Sequence, residues 1–338
     1  MALFRRKSEN ATPLDGVDLL LADLDGVVYK GPDAIPFAVE SLNSAAETVR
    51  VGYITNNASR TDAAVASHLS DLGLAVRPTD VVTSPQAAVR LLGSHIAAGS
   101  TVLVIGGDGL VDEVQKAGFS VTRSAEDDPA AVIQGFSPEV GWQHLAEAAF
   151  ALQGRTEAER PWIATNTDWT IPVARGIAPG NGTLVSAVHT AAGRLPLVAG
   201  KPEVAIFEEA VARFSADKPL FIGDRLDTDI LGANRAGIDS VLVLTGIDGA
   251  KQLIAADADS RPTYILRDLR GLSEPYPETV TARNGAVTVG DSTVAIDGND
   301  VRILKEGDEL DLLRAACAAI WNSGRAIYGL EVPVRLYA

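Results

Sequence analysis

Two aspartates stand one residue apart at the end of an apolar run, in the stretch LLLADLDGVVY over residues 19–29. Because alternate residues of a strand share a face, Asp23 and Asp25 can both point toward one site. Gly26 follows them and allows the backbone to approach a ligand closely. Two neighbouring carboxylates repel each other unless a cation or a shared proton lies between them. An ordinary Asp-Gly turn, in which aspartate bonds its own backbone, is the alternative interpretation.

A second acidic cluster follows another apolar run, in FIGDRLDTDI over residues 221–230. Asp224, Asp227 and Asp229 crowd three carboxylates into one short segment, a pattern typical of hard cations bound through oxygen. A solvated acidic loop would have the same composition. The cluster is therefore a candidate metal site.

Two further strand ends carry groups that could hold an anion. Thr55 ends the run VGYIT and is followed by two asparagines, so its hydroxyl and the nearby N–H groups could bind an anionic oxygen. A helix N-cap would explain the same residues. Lys201, in LVAGKP, could be a phosphate ligand or a surface charge.

Short apolar runs alternate with segments of helical period. The predicted strands are 17–23, 51–55, 81–83, 220–224 and 241–245, and the predicted helices are 36–49, 61–72, 85–96, 202–214 and 229–236. Near-continuous apolar strands joined by helices indicate a parallel sheet covered on both faces. Ligands of such sheets bind beyond the carboxyl ends of the strands, where all four groups above are expected.

The middle of the chain repeats this pattern on a smaller scale and is interpreted as a second α/β unit inserted into the first. Its IGGDG stretch lacks the full dinucleotide-binding spacing, which favours a plain strand-to-helix turn. After the proline-marked SEPYPE, short strands are predicted within 279–298, a helix over 308–322 and a final strand over 327–337. This part carries no evident catalytic constellation, so a packing or oligomerisation role is preferred.

The formal net charge of −15 argues against nucleic acid as a partner, because nucleic-acid binding requires a basic face. No run approaches the ~18 apolar residues of a membrane span, so membrane insertion is not expected. Cys317 is the single cysteine and lies in the apolar run LLRAACAAIW, where it is interpreted as helix core. One thiol fits a reducing compartment, which predicts a cytoplasmic protein.

The stretches DLDGVVY, TNN, GKP and GDRLDTD resemble, in order and strand context, the four motifs of the haloacid dehalogenase superfamily phosphatases. ATNTDWTIP and PGNGTLVSAV are similar to the C2-type cap of the NagD-like, p-nitrophenylphosphatase branch. The resemblance covers roughly residues 15–275 and is greatest to actinobacterial glycerol-3-phosphate phosphatases. The tail after 276 resembles a fragment of an acetyltransferase fold without a glycine-rich coenzyme A loop, so acetyl transfer is not expected.

The resemblance implies an α/β fold with a doubly wound parallel sheet, the Rossmannoid core of the superfamily. It places this catalytic core at 15–96 and 194–275, the C2-type cap at 97–193 and a small α+β extension at 276–338. Cap or tail surfaces could pair two subunits into a homodimer.

The resemblance also implies roles for the site residues. Asp23 would attack phosphorus and form an aspartyl-phosphate, while Asp25 would protonate the leaving group and then activate water. Mg²⁺ would bind Asp23, the backbone carbonyl of Asp25, and Asp224, and Asp229 would order metal-bound water. The residues expected at the phosphoryl oxygens are Gly26, Thr55, Asn56 and Lys201. In the cap loop, Asp168, Ile171 and Arg175 are candidates for substrate contact.

The function expected from the resemblance is a Mg²⁺-dependent phosphomonoesterase acting on a small phosphorylated metabolite, with glycerol 3-phosphate first. The nearest rival substrate is 2-phosphoglycolate, and sugar, nucleotide and pyridoxal phosphates are further candidates. A receiver-like phosphoacceptor module would share the acidic cluster and the lysine, but it has no use for Asp25 or for an inserted cap. A non-catalytic carbohydrate-phosphate binding protein would bind without turnover.

Overall fold

The computed structural model describes residues 11–173 and 175–337. Its strands, in chain order, are β1 (Leu19–Ala22), β2 (Tyr29–Lys30), β3 (Asp33–Ala34), β4 (Arg50–Thr55), β5 (Val81–Thr83), β6 (Thr101–Ile105), β7 (Ser120–Thr122), β8 (Ala131–Gln134), β9 (Trp162–Ala164), β10 (Thr170–Val173), β11 (Gly176–Pro179), β12 (Leu197–Val198), β13 (Pro219–Gly223), β14 (Asp239–Val243), β15 (Tyr264–Leu266), β16 (Thr279–Thr281), β17 (Val287–Val289), β18 (Ser292–Asp297) and β19 (Asp300–Lys305). Its α-helices are α1 (Ala38–Ala45), α2 (Asp62–Asp71), α3 (Ser84–Gly93), α4 (Asp108–Lys116), α5 (Trp142–Leu152), α6 (Asn181–Ala192), α7 (Val204–Phe214), α8 (Leu231–Arg235), α9 (Ala250–Ile254) and α10 (Glu309–Asn322).

The chain forms two compact units, and the first runs to Val51 and resumes at Ala216. Its parallel strands lie in the order β15-β14-β13-β1. The register of β1 and β13 sets Ala22 opposite Ile222. These strands are almost wholly buried and apolar, as a sheet covered on both faces requires. Because the two strands run in the same direction, the residues after them emerge at the same sheet edge.

The C-terminal part of this unit is an antiparallel sheet, β16-β17-β18-β19, packed on α10. One apolar core joins this part to β14 and β15, and it includes Leu242, Ile265, Val294 and the fully buried Cys317. The prediction of Cys317 as helix core is confirmed. The guanidinium of Arg314 reinforces the junction by donating to the carbonyl oxygen of Ile265 at 2.6 and 3.0 Å.

The predicted final strand over 327–337 is wrong. The segment instead forms two 3₁₀ turns, Ile327–Gly329 and Val334–Leu336. Between them only Glu331 makes a β-bridge, opposite Asp300. Pro333 has no N–H to donate to a neighbouring strand, which explains why the pairing stops there.

The second unit spans Gly52–Ser215. It contains the parallel pair of β4 and β5, with Thr55 opposite Thr83, and a five-stranded parallel sheet in the order β12-β9-β8-β6-β7. Helices α5 and α6 pack together, and a core that includes Trp162, Leu152 and Val185 joins them to this sheet. The IGGDG stretch connects β6 to α4, so the predicted strand-to-helix turn is confirmed.

Parallel sheets joined by helices confirm the α/β fold class. The core strands predicted from the apolar runs are present, and the predicted helices differ from the observed ones mainly at their ends. The domain boundaries at 96, 194 and 276 remain predictions. No helix within residues 11–173 and 175–337 is long and apolar enough to cross a membrane.

Candidate active site

Three buried aspartates of the first unit lie close together. Asp23, Asp224 and Asp229 each offer a carboxylate oxygen, and these oxygens all lie within 4.8 Å of one another. The three residues are only 8%, 1% and 0% exposed. Carboxylates at this spacing repel each other with little water to screen them, so a cation among them is favourable. A donor set made only of oxygen suits a hard ion such as Mg²⁺.

The register of the central strands brings the first two carboxylates together. Asp23 directly follows β1, and its main-chain N–H donates to the carbonyl oxygen of Ile222 in β13 at 2.8 Å. Asp224 directly follows β13. Both residues therefore leave the same edge of the parallel sheet, as the sequence predicted.

Asp229 reaches the cluster through a π-helical turn, Leu226–Ile230, that precedes α8. Its Oδ2 atom accepts hydrogen bonds from the main-chain N–H groups of Asp224, at 3.1 Å, and Arg225, at 3.2 Å. Asp227 points elsewhere: its side chain is exposed and forms an ion pair with Arg225 at 2.8 Å. Of the three acids in this segment, Asp224 and Asp229 belong to the cluster and Asp227 does not.

A loop after β14, which the sequence reasoning missed, holds Asp224 in place. The Ile247 N–H donates to Asp224 Oδ2 at 2.7 Å, and the Asp248 N–H donates to the Asp224 carbonyl oxygen at 3.1 Å. A side chain at Gly246 would overlap the Asp224 carboxylate. Asp248 in turn accepts from the Leu226 N–H at 2.7 Å. The sequence feature that could have revealed this loop is the TGIDG stretch over residues 245–249, which also follows a strand and contains two glycines.

Asp25 differs from Asp23 in two ways. Asp25 is exposed, and its carboxylate does not belong to the cluster of Asp23, Asp224 and Asp229. Gly26 follows it with φ +82°, a conformation that favours glycine. The Thr245 hydroxyl donates to the Gly26 carbonyl oxygen at 2.7 Å, and a side chain on Gly26 would overlap the Asp224 carboxylate. Gly26 is thus needed for the close packing of the acidic cluster.

Thr55, Asn56 and Lys201, the other predicted phosphate-binding residues, belong to the second unit. Thr55 ends β4 and is 3% exposed, and its hydroxyl oxygen accepts from the Asn57 N–H at 3.1 Å. Lys201 is 4% exposed. The Asn56 side chain bonds the Lys201 main chain, with Oδ1 accepting from N–H at 2.8 Å and Nδ2 donating to the carbonyl oxygen at 3.1 Å.

The candidate substrate-contact residues lie in or beside the hairpin of β10 and β11. Asp168, which precedes it, is half-buried and accepts from Asn56 Nδ2 at 3.2 Å. Ile171 is half-buried opposite Ala178, while Arg175 is exposed near the hairpin tip. The structure therefore connects Asp168 with Asn56, and substrate contact by Asp168, Ile171 and Arg175 remains a prediction from the sequence.

Family models match three parts of the chain. A haloacid dehalogenase-like hydrolase model matches residues 20–120, and a HAD-hydrolase-like model matches residues 198–272. A GCN5-related N-acetyltransferase-like domain model matches residues 283–331. The last match agrees with the resemblance noted for the tail.

Two similar proteins match nearly the whole chain, and a third matches about three quarters of it. D-glycerol 3-phosphate phosphatase of Mycobacterium tuberculosis is 43% identical over 95% of this chain and 90% of its own length. The crystal structure of a glycerol phosphate phosphatase from the same organism, in complex with magnesium, superposes with a TM-score of 0.83 at 40% identity, covering 96% of this chain and 94% of that one. A p-nitrophenyl phosphatase from Archaeoglobus fulgidus superposes with a TM-score of 0.69 at 25% identity, covering 76% of this chain and 98% of that one.

Proposed function

This chain belongs to the haloacid dehalogenase-like hydrolases, and from that membership we propose that it is a Mg²⁺-dependent phosphomonoesterase whose substrate is glycerol 3-phosphate. The observation that carries the chemistry is the buried cluster of Asp23, Asp224 and Asp229. A phosphate monoester is a dianion, and acidic residues alone would repel it. A site that concentrates carboxylates for a cation is therefore suited to such a substrate.

The extent of the similarity supports glycerol 3-phosphate as the substrate. The match to the D-glycerol 3-phosphate phosphatase covers 95% of the chain and so includes most of the part beyond residue 276. The p-nitrophenyl phosphatase structure covers only 76%. The likeness to the glycerol phosphate enzymes thus extends to the C-terminal part as well as to the parallel-sheet units.

Asp23 is the proposed nucleophile. One of its carboxylate oxygens attacks phosphorus, the bond from phosphorus to the ester oxygen breaks, and an aspartyl-phosphate forms. The step divides one very slow hydrolysis into two faster ones. Its position at the end of a rigid buried strand suits a nucleophile, because little motion is then needed to present it.

Asp25 is the proposed general acid and base. Its proton goes to the oxygen of the leaving glycerol in the first step. In the second step its carboxylate takes a proton from water, whose oxygen attacks phosphorus and releases both phosphate and the free Asp23. The exposure of Asp25 supports this role, since its carboxyl group must reach both the oxygen of the leaving glycerol and the attacking water.

Asp23, the Asp25 carbonyl oxygen and Asp224 would hold Mg²⁺, which supplies positive charge that offsets the repulsion between a carboxylate and a dianionic substrate. Asp229 would keep Asp224 in place through the main-chain bonds described above. The proposal assigns the phosphoryl oxygens to Gly26, Thr55, Asn56 and Lys201. Because the Asn56 side chain is engaged with its own unit, its contribution would come from its main-chain N–H.

Phosphate release from a panel of monoesters, with Mg²⁺ and with EDTA, tests the proposal. The panel contains glycerol 3-phosphate, 2-phosphoglycolate, pyridoxal 5′-phosphate, a nucleoside monophosphate, a sugar phosphate and p-nitrophenyl phosphate. We expect Mg²⁺-dependent multiple turnover with the highest kcat/KM for glycerol 3-phosphate. A higher kcat/KM for another ester would reassign the substrate, and at most one phosphate per chain would indicate a phosphoacceptor module instead.

The Asp23→Asn variant tests the nucleophile at nearly constant side-chain volume. We expect it to abolish hydrolysis and to keep the thermal stability of a folded protein. Asp227→Asn is the matched control, since Asp227 is exposed and outside the cluster, and it should retain activity. Retention by Asp23→Asn of a tenth of the normal kcat, about 1.4 kcal/mol on the barrier, would remove Asp23 from that role.

The cytoplasm is the proposed location, supported by the single, fully buried cysteine, which needs no oxidising compartment. A homodimer is likewise a proposal. Light scattering of the purified chain tests it, and a monomer mass at micromolar concentration would reject it.

A further inference from the structure

The side-chain amide of Asn56 is hydrogen bonded in three directions within the second unit. Its Oδ1 atom accepts from the Lys201 N–H at 2.8 Å, and its Nδ2 atom donates to the Lys201 carbonyl oxygen at 3.1 Å and to Asp168 Oδ1 at 3.2 Å. An amide nitrogen has two hydrogens to donate, and both are used here. The side chain thus forms hydrogen bonds with the main chain of Lys201 and with the Asp168 carboxylate at the same time.

The main chain of Asn56 belongs to the same network. Its carbonyl oxygen accepts from the Ser84 hydroxyl at 2.7 Å and from Asn166 Nδ2 at 2.8 Å. Asn166 Oδ1 accepts from the Asp168 N–H at 3.2 Å, and the Asn166 carbonyl oxygen accepts from Asn181 Nδ2 at 2.7 Å. The segment that carries Asp168 is therefore bonded to Asn56 at two points, and α6 is bonded to that segment.

Gly200 allows the close approach on which these bonds depend. A Cβ atom on Gly200 would lie 2.5 Å from the carbonyl oxygen of Thr165 and 2.6 Å from Asn56 Oδ1. Real Cβ atoms do not come so close, so any side chain at this position would push Lys201 away from Asn56. The glycine before the lysine is therefore explained by the Asn56 network.

We propose that Asn56 is a positioning residue whose side chain holds the Lys201 main chain and the Asp168 carboxylate in a fixed mutual arrangement. The inference rests on the proposed function in one respect, namely that Lys201 binds the phosphoryl group. Asn56 then links the phosphate-binding lysine to the loop before the β10–β11 hairpin. Loss of its side chain should loosen both segments and lower kcat, because a misplaced lysine stabilises the transition state less well.

The first test compares Asn56→Ala with Asn57→Ala. Asn57 is the matched control because it is the neighbouring asparagine, and among the residues that the structure describes its side chain makes only a local hydrogen bond, accepted from the Ser59 N–H at 2.8 Å. Hydrogen exchange measured by mass spectrometry should be at least about tenfold faster in Asn56→Ala for the peptides containing Lys201 and Asp168. The Asn57→Ala protein should exchange there like the wild type. Wild-type exchange at both peptides in Asn56→Ala would overturn the proposal.

The second test exchanges donor and acceptor. N56D keeps an oxygen for the Lys201 N–H but sets a carboxylate against Asp168, so kcat with p-nitrophenyl phosphate should fall at least about tenfold, or about 1.4 kcal/mol. In N56D/D168N a donor again faces an acceptor across the contact between positions 56 and 168, whereas the Lys201 carbonyl oxygen still has no donor from position 56, so part of the lost kcat should return. A double variant no faster than N56D, with both folded by thermal melting, would contradict the positioning role.

The two tests separate this inference from the proposed function. If the wild-type protein hydrolyses no phosphate ester, the function is wrong, yet hydrogen exchange still decides whether Asn56 holds Lys201. If the wild type is active and Asn56→Ala matches it in both kcat and exchange, the function stands and the positioning role is rejected.

Discussion

Asp229 supports Asp224 from within the protein: its Oδ2 atom accepts the main-chain N–H of Asp224 at 3.1 Å. The same oxygen accepts a hydrogen bond from the N–H of Arg225 at 3.2 Å. Asp229 itself is fully buried. One carboxylate therefore satisfies two adjacent N–H groups and adds negative charge to the cluster. Its loss should affect both stability and metal binding.

We expect Asp229→Ala to lower the free energy of unfolding by about 2–3 kcal/mol, because it removes the acceptor of the buried Asp224 N–H and of the partly buried Arg225 N–H. Urea denaturation in saturating Mg²⁺ measures this, since the ion suppresses repulsion among the remaining carboxylates. Asp227→Ala is the control and should cost about 0–1 kcal/mol, as its ion pair is exposed. Equal stabilities of the two variants would contradict a supporting role for Asp229.

Mg²⁺ should raise the melting temperature of the wild-type protein, because it relieves repulsion among Asp23, Asp224 and Asp229 only when they are assembled in the fold. At a concentration of about 100 times the Kd the stabilisation should be about 2.7 kcal/mol. Asp224→Asn should lose this shift while melting no lower than the wild type in EDTA, since one repelling charge is gone. Differential scanning calorimetry measures both values.

Asp227→Asn is again the matched control for the metal experiment, and it should keep the full Mg²⁺-dependent shift. An undiminished shift in Asp224→Asn would mean that the ion binds elsewhere.

Gly246→Ala should impair the metal site without changing any of its ligands. The added methyl group would overlap the Asp224 carboxylate and displace it. We expect the Mg²⁺ concentration for half-maximal activity to rise at least about tenfold, because displaced ligands bind the ion less well. Gly93→Ala is the control, since a Cβ atom there meets nothing within 4 Å. Normal Mg²⁺ dependence in Gly246→Ala would contradict the prediction, because it would mean that the loop moves aside without displacing Asp224.

Asp25→Asn should slow hydrolysis in a way that depends on the leaving group. An alkoxide such as that of glycerol needs a proton to leave, whereas p-nitrophenolate leaves readily without one. The steady-state kcat for glycerol 3-phosphate should therefore fall far more than the rate constant of the initial burst in which p-nitrophenol is released from p-nitrophenyl phosphate. An equal loss for both substrates would argue against Asp25 as the general acid.

The strand-end acids could be located from the sequence because their positions follow from topology. Asp23 and Asp224 each end an apolar run, and parallel strands bring such ends to one edge. Spacing alone groups both Asp227 and Asp229 with Asp224, and the structure places Asp229, but not Asp227, in the buried cluster. The support from Gly246 and Ile247 could not be predicted, since it depends on how a loop after β14 packs against Asp224.

Asn56 shows the same limit more clearly. The family resemblance implied that Asn56 is a phosphate ligand, through its place after Thr55 in the TNN stretch, which is a local feature. In the structure its side chain bonds Asp168 and Lys201, which are 112 and 145 residues away along the chain. The predicted strand over 327–337 was wrong for a different reason. The apolar residues of the segment suggested a strand, but Pro333 lacks the N–H that strand pairing requires, and this proline could be read from the sequence.

By itself, therefore, the sequence determined the α/β class, the acidic strand ends and the family, because these depend on local apolar patterns and on residue types at short spacing. Only the tertiary structure decided which acids share one buried cluster and which main chain the Asn56 side chain bonds, namely that of Lys201. Those outcomes depend on hydrogen bonds and close packing between segments far apart in the chain, and no local pattern encodes them.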